Sequence, residues 1–242
     1  MKPYDTQQTK KEQVREMFDR IAPAYDRLNH TLSFLVDKLW RRRVVRLVRR
    51  MKPRRVLDLA TGTGDLAIAL ARRIRGVQVL GVDLSEQMLS LAQSKVASCG
   101  LDERVVLAQG EAERLEVADG TFDVVTVGFG VRNFEDLAAG LREIVRVLRP
   151  GGRAVILEFS TPTNPLFRRI YGFYSHRLLP LVGGMVSKDR KAYEYLPASV
   201  DEFPAPARFL EALSEAGFVR CRARSQSWGI AHIYIGTKPV RP

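Results

Sequence analysis

The chain has little of what fixes a fold covalently or through metal. Its two cysteines, Cys99 and Cys221, lie far apart and form no metal-like pair, and His30, His176 and His232 are scattered. This pattern predicts neither a disulfide nor a structural metal. No apolar run reaches the roughly twenty residues that span a bilayer, and MKPYDTQQTKKEQ at the start lacks an apolar signal core, so a cytoplasmic protein is expected. Repeats and low-complexity segments are missing too. A length of 242 residues suits one sizeable core with additions.

Acidic residues are missing from one stretch in particular. LWRRRVVRLVRRMKPRR, Leu39 to Arg55, has none, in a chain of formal net charge +12. Trp40, Val44, Leu47, Val48 and Met51 repeat at helical spacing, while Arg42, Arg43, Arg46, Arg49 and Arg50 lie largely off that stripe. Two readings stand: a basic amphipathic helix resting on anionic headgroups, or a helix packed on the domain with a solvated arginine face. The charge alone also admits an RNA methyltransferase. No appended RNA-binding module or stacking motif accompanies it, and no nucleic-acid partner is expected.

What is present begins with VLDLATGTGDLA, Val56 to Ala67. Val56, Leu57 and Leu59 read as a short buried strand, Gly62 and Gly64 allow a tight turn and close backbone approach to a ligand, and Asp65 suits the cap of a following helix. With Ala67 last and Asp83 some twenty residues on, the spacing also fits a dinucleotide fingerprint, as in a nicotinamide-dependent oxidoreductase. Charge separates the two. A diphosphate at the helix start would meet Asp65, whereas S-adenosylmethionine carries an ammonium and a sulfonium that Asp58 and Asp65 attract. The methyl donor is the cofactor favoured.

Before this turn, helical patterns cover Lys11 to Ile21 and Leu32 to Met51, separated by Pro23, Asn29 and His30. After it strands and helices alternate: Val77 to Val82, a helix capped by Ser85 and running to Cys99, Val105 to Ala108, Phe122 to Val127, a helix from Asp136 to Leu148 stopped by Pro150 and Gly151, and Arg153 to Phe159. That order predicts a parallel sheet covered on both faces. A helix near Ala207 to Ala216 precedes Phe218 to Ala223 and Ala231 to Thr237, which are close enough for an antiparallel pair but not for a crossover. The fold class expected is thus α/β: a Rossmann-like, seven-stranded, mostly parallel sheet with a C-terminal hairpin. Its single domain divides into an N-terminal helical cap (1–52), a cofactor-binding core (53–160), an insertion (161–206) and a C-terminal helix with the strand pair (207–242). The insertion is rich in aromatics, among them Phe167, Tyr171, Phe173, Tyr174, Tyr193 and Tyr195, and reads either as a lid over a bulky apolar substrate or as helices that fill out the core.

Ligands bind beyond the carboxyl ends of such strands. Thr61 to Gly64, with Thr63, would line the methionine part of the donor, Asp83 would accept from both ribose hydroxyls, and Glu111 and Ala112 would flank adenine. Gly128 to Asn133 would lie beneath the sulfonium and the acceptor.

YDRLNHTLSFLVDKLW from Tyr25, the glycine turn, FGVRNFED from Phe129 and RVLRPGGRAVILEFS from Arg146 together resemble the ubiquinone/menaquinone biosynthesis C-methyltransferase family over nearly the whole chain. The more specific parts are Tyr25-Asp26 with Asn29, Phe129-Gly130, Arg132-Asn133 and Glu158-Phe159-Ser160. The chain departs from the family's pattern at Asp37, often histidine, at Arg149, usually lysine, and at Gly128, often a serine that touches the cofactor, so that only backbone remains there. The resemblance implies class I methyl transfer from S-adenosylmethionine, without metal, to a ring carbon of a reduced prenylated quinol. Asn29, Phe129, Asn133, Glu158, Tyr174 and Tyr195 are the substrate-side residues. An ionised quinol hydroxyl would activate the neighbouring carbon, with Arg132 stabilising the phenolate, or else paired with Glu158 or Asp26. Water, His176, or Tyr25 assisted by Asp26 would take the proton. Peripheral membrane association and a homodimer are both compatible with this reading, as is a catalytically silent scaffold of the same fold.

Overall fold

A computed structural model describes residues 1–4, 6–32, 36–162, 164, 169, 172–173 and 189–240, with only the backbone described at 27–32 and 190. The elements are α1 (Lys10–Leu32), α2 (Val36–Arg50), β1 (Arg55–Leu59), α3 (Asp65–Arg73), β2 (Gln78–Asp83), α4 (Glu86–Ser98), β3 (Val105–Gln109), β4 (Phe122–Gly128), α5 (Leu137–Val147), β5 (Leu148–Phe159), α6 (Arg190–Glu202), α7 (Pro206–Glu215), β6 (Val219–Gln226) and β7 (Ala231–Thr237). Single 3₁₀ turns occupy Val131–Asn133 and Ser227–Gly229.

The strands form one sheet in the order β3-β2-β1-β4-β5-β7-β6. β1 pairs in parallel with both β2 and β4, β2 with β3, and β4 with β5, while β7 runs antiparallel to β5 and β6. The chain reverses direction of travel across the sheet between β1 and β4, which opens a crevice at their carboxyl ends. Apolar residues on both sides of the central strands account for the two covered faces. On one, Trp40, Val44 and Val48 of α2 and Leu70 of α3 pack over Val56, Val155 and Ile233. On the other, Leu141 and Ile144 of α5 and Phe209 of α7 cover Leu57, Val125, Ile156 and Tyr234. A smaller cluster joins Val14, Met17 and Ile21 of α1 to Met88 of α4 and to Tyr193 and Tyr195 of α6.

Several expectations need correction. α1 runs unbroken through Pro23 to Leu32 instead of stopping at Ile21. Pro23 is exposed, so the ring and the missing N–H fall on the solvent side while Ile21 and Ala22 keep the inner face packed. Asp65 is the first helical residue rather than the cap; Gly64 takes that position in a left-handed conformation, with no side-chain cap. β5 begins at Leu148, not Arg153, because Leu148 already pairs with Phe122 before the Pro150-Gly151 irregularity. The lipid-facing reading of the α2 stripe fails in its apolar half: Trp40, Val44 and Val48 are buried in the core, and Leu47 and Met51 pack against it. Arg42, Arg43, Arg46, Arg49 and Arg50 remain exposed. In β6, Arg220 has positive φ and the register shifts between Val219 and Arg222, so this edge strand carries a bulge.

Candidate active site

The crevice is a cleft whose floor is formed by Leu59 and Ala60 at the end of β1, Val82 and Asp83 of β2, Gly110 and Ala112 after β3, and Gly128 to Gly130 at the end of β4. α1 supplies a wall with Lys11, Val14, Arg15, Phe18 and Tyr25, and Met88 of α4 adds another. Val82, Met88 and Ala112 make an apolar slot.

The glycine turn is held from inside. Asp58 is fully buried and accepts from Thr61 Oγ1 at 2.7 Å and Thr126 Oγ1 at 2.6 Å. Burial pushes its carboxyl up to about 6 against those two hydrogen bonds. Asp83 Oδ2 accepts from the Gly62 amide at 2.7 Å and Oδ1 from the Ser85 amide at 3.0 Å, and burial raises this carboxyl too. Asp83 therefore clamps the turn while keeping free lone pairs toward the cleft. A Cβ on Gly62 would meet nothing within 4 Å, so the backbone there is open to a ligand.

Two backbones are strained at the floor. Ala60 and Phe129 both have positive φ, 53° and 63°. They are held by contact: a Cβ on Gly130 would come within 2.4 Å of Ala60 Cβ, so the loops after β1 and β4 touch. Phe129 stacks on Phe159 with centroids 4.4 Å apart, and Arg41 lies over the Phe129 ring at 5.6 Å. Such strain persists only where the surroundings over-determine it.

The predicted residues divide by position. Gly62, Asp83, Ala112, Tyr25, Phe129 and Asn133 line the cleft. Asp58, Thr63, Gly64 and Glu158 lie behind its walls. Thr63 donates to Asp26 at 2.6 Å, and Lys95 bridges Asp26 at 2.8 Å and Asp65, so Asp26 secures the glycine turn to α1. Asp65 also faces Arg41 at 3.7 Å; its charge is matched by protein cations, and the argument that it attracts a cationic donor does not hold. Glu111 does not line the cleft itself but pairs with Lys11 of its wall at 2.8 Å. Arg132 is buried beneath the floor, 4% exposed, bonded through Nη1 to Glu158 at 2.8 Å and to the Phe129 carbonyl at 2.6 Å. Its charge reaches the Tyr25 and Tyr195 hydroxyls. Tyr195 donates to Asn133 Oδ1 at 3.1 Å, and burial pushes its own phenol up to about 12. The side chain of Asn29, and Phe167, Tyr171, Tyr174 and His176, lie outside the described residues.

Sequence reasoning missed Arg41 and Lys95. Lys95 pairs with Asp26 and Asp65, both remote in sequence, and Arg41 pairs with Asp37 one helical turn away but reaches Asp65 and the Phe129 ring only through the fold.

A model of the ubiE/COQ5 methyltransferase family matches residues 6–238. The chain belongs to that family. Among curated relatives, the demethylmenaquinone methyltransferase of Bacteroides fragilis is 42% identical over 238 residues, covering 98% of this chain and 97% of its own length. The ubiquinone/menaquinone biosynthesis C-methyltransferase UbiE of Geobacter sulfurreducens is 48% identical over 233 residues, covering 96% and 91%. At the level of fold, an S-adenosylmethionine-dependent methyltransferase of Thermotoga maritima superposes with a TM-score of 0.64 at 19% identity, over 93% of this chain and 99% of that one.

Proposed function

We propose that this chain transfers a methyl group from S-adenosylmethionine to a ring carbon of a reduced polyprenyl quinol, converting demethylmenaquinol to menaquinol. The observation that carries the reading is the 42% identity, over nearly the full length of both chains, to a protein named demethylmenaquinone methyltransferase. A polyprenyl methoxybenzoquinol is the second acceptor considered, because the relative from Geobacter sulfurreducens bears both pathways in its name.

The residues suit the donor. The Asp83 carboxylate has acceptor capacity for a diol, Val82, Met88 and Ala112 offer an apolar slot for a flat ring, and the Gly62 backbone is open to close approach. When bound, the donor supplies an electrophilic methyl on a sulfonium with a good leaving group. On the acceptor side Phe18, Tyr25, Phe129 and Phe134 wall the cleft and exclude water. As the quinol hydroxyl ionises its proton passes to water, the Tyr25 hydroxyl, within the field of Arg132, donates to the resulting phenolate oxygen, and Asn133, oriented by Tyr195, fixes the ring. A quinol near pKa 10 needs such help at neutral pH, whereas an oxidised quinone would be a poor nucleophile. The arginines between 39 and 55 contact an anionic membrane surface.

The test is incubation of purified protein with labelled S-adenosylmethionine and reduced naphthoquinols, reduced benzoquinols, oxidised quinones or RNA, read by mass spectrometry. Label on the reduced naphthoquinol ring is expected. Label on RNA alone, or none on any quinol, overturns the reading.

A further inference from the structure

The 3₁₀ turn Ser227–Gly229 is strained at its two non-glycine residues: φ is 44° at Ser227 and 55° at Trp228. Such conformations cost on the order of 1 kcal/mol or more for a non-glycine residue and need external support. That support is present. Trp40 Nε1 donates to Ser227 Oγ at 3.0 Å, and Ser160 Oγ donates to the Gly229 carbonyl at 2.7 Å. The product of this bracing is an indole that is 77% exposed.

Its surroundings indicate what it meets. The turn precedes β7, whose Ala231 pairs with Phe159 at the carboxyl end of β5, so Trp228 stands at the same end of the sheet as the cleft. Trp40, which holds the turn, is 6.1 Å from Phe129 of the cleft floor, centroid to centroid. One helical turn of α2 places Leu39, 49% exposed, beside Arg42 and Arg43, and Arg43 bonds Gln226. Arg222 and Arg224 share a face of β6 with Gln226 and are exposed. Two large apolar side chains thus project from a field of four arginines, near the mouth of the cleft.

We propose that Trp228 and Leu39 insert into the headgroup region of an anionic bilayer while Arg42, Arg43, Arg222 and Arg224 pair with its lipid phosphates. This rests on the quinol reading, since a polyprenyl acceptor resides in a bilayer. It places the contact on a composite edge of α2 and the β6–β7 turn, not on the apolar stripe of α2, which is buried. Tryptophan favours the membrane interface, and arginine supplies the attraction to anionic lipid.

The experiment uses the full chain and vesicles of phosphatidylcholine with or without phosphatidylglycerol. Only Trp40 and Trp228 contribute indole fluorescence, and Trp40 is buried. Anionic vesicles should blue-shift the emission, and brominated lipid should quench it. Trp228→Ala and Leu39→Ser should each weaken sedimentation with anionic vesicles by about tenfold, and Arg222→Glu with Arg224→Glu by at least as much. Trp228→Phe should recover part of the loss. Turnover of a water-soluble short-chain quinol should be unchanged in Trp228→Ala. Vesicle binding that is absent, or equal in wild type and Trp228→Ala, overturns the docking surface, as does RNA that binds more tightly than vesicles and displaces them. Vesicle binding as described, without methyl transfer to any quinol, leaves the docking surface standing and sinks the quinol reading alone.

Discussion

Individual side chains behave here according to what they touch, and three of them separate the physical roles. The Tyr234 hydroxyl is buried with no hydrogen-bond partner among the described residues, while its ring packs on Phe209 at 4.7 Å. Tyr234→Phe keeps the ring and removes the orphaned group, so the urea midpoint should rise by the equivalent of about 1 kcal/mol. Arg132 and Glu158 form a buried pair, and losing either partner leaves an uncompensated charge. Arg132→Ala should cost about 3 kcal/mol or more in chemical denaturation, with Glu158→Gln costing less because the shape and some hydrogen bonds survive. Asp58 gives a pH signature. Its folded carboxyl, at about 6, lies above the unfolded value, so the folded state holds the proton more tightly; the stabilisation is fully present below about 4 and is lost as pH rises through 6. Compared with Asp58→Asn, the wild type should therefore gain on the order of 2 kcal/mol in relative stability when pH falls from above 6 to about 4, as read by thermal unfolding of both proteins.

The elements show which information is local. Ser85 caps α4 by accepting from the amide three residues on, as expected, and Asp136, expected as the start of α5, caps it in the same way; β1 to β4 follow the apolar runs within a residue or two, while β5 and β6 extend beyond them. Pro23 misled because a proline's cost depends on which side of the helix it faces, and that side is fixed by packing against α4 and α6. The Asp65 argument failed for the same kind of reason: Lys95 and Arg41, which neutralise it, arrive from other helices. The floor of the cleft was legible as two loops but not as one unit. Their contact is tight enough that Gly130→Ala forces the Ala60 and Phe129 backbones apart. This variant should lose at least tenfold in affinity for adenosylhomocysteine by calorimetry and also unfold earlier, whereas Gly172→Ala, whose Cβ meets nothing within 4 Å, should do neither.

Across the whole molecule, alternation of strands and helices was enough to anticipate a mostly parallel sheet closed by an antiparallel pair, because parallel neighbours require crossovers and the last two strands are too close to have one. The site was only half legible. Residues that follow strands, such as Asp83, Ala112 and Phe129, were placed by topology alone, while the α1 wall depends on a long-range packing choice that the sequence does not display. The same separation bears on assembly. β6 ends the sheet, yet it presents Arg220, Arg222 and Arg224 around a bulge. Two copies meeting there would bring like charges together along a kinked seam, at a cost no backbone ladder readily repays. A dimer of this protein must therefore leave that border in water, and with it the tryptophan turn stays uncovered in every assembled form that uses another face.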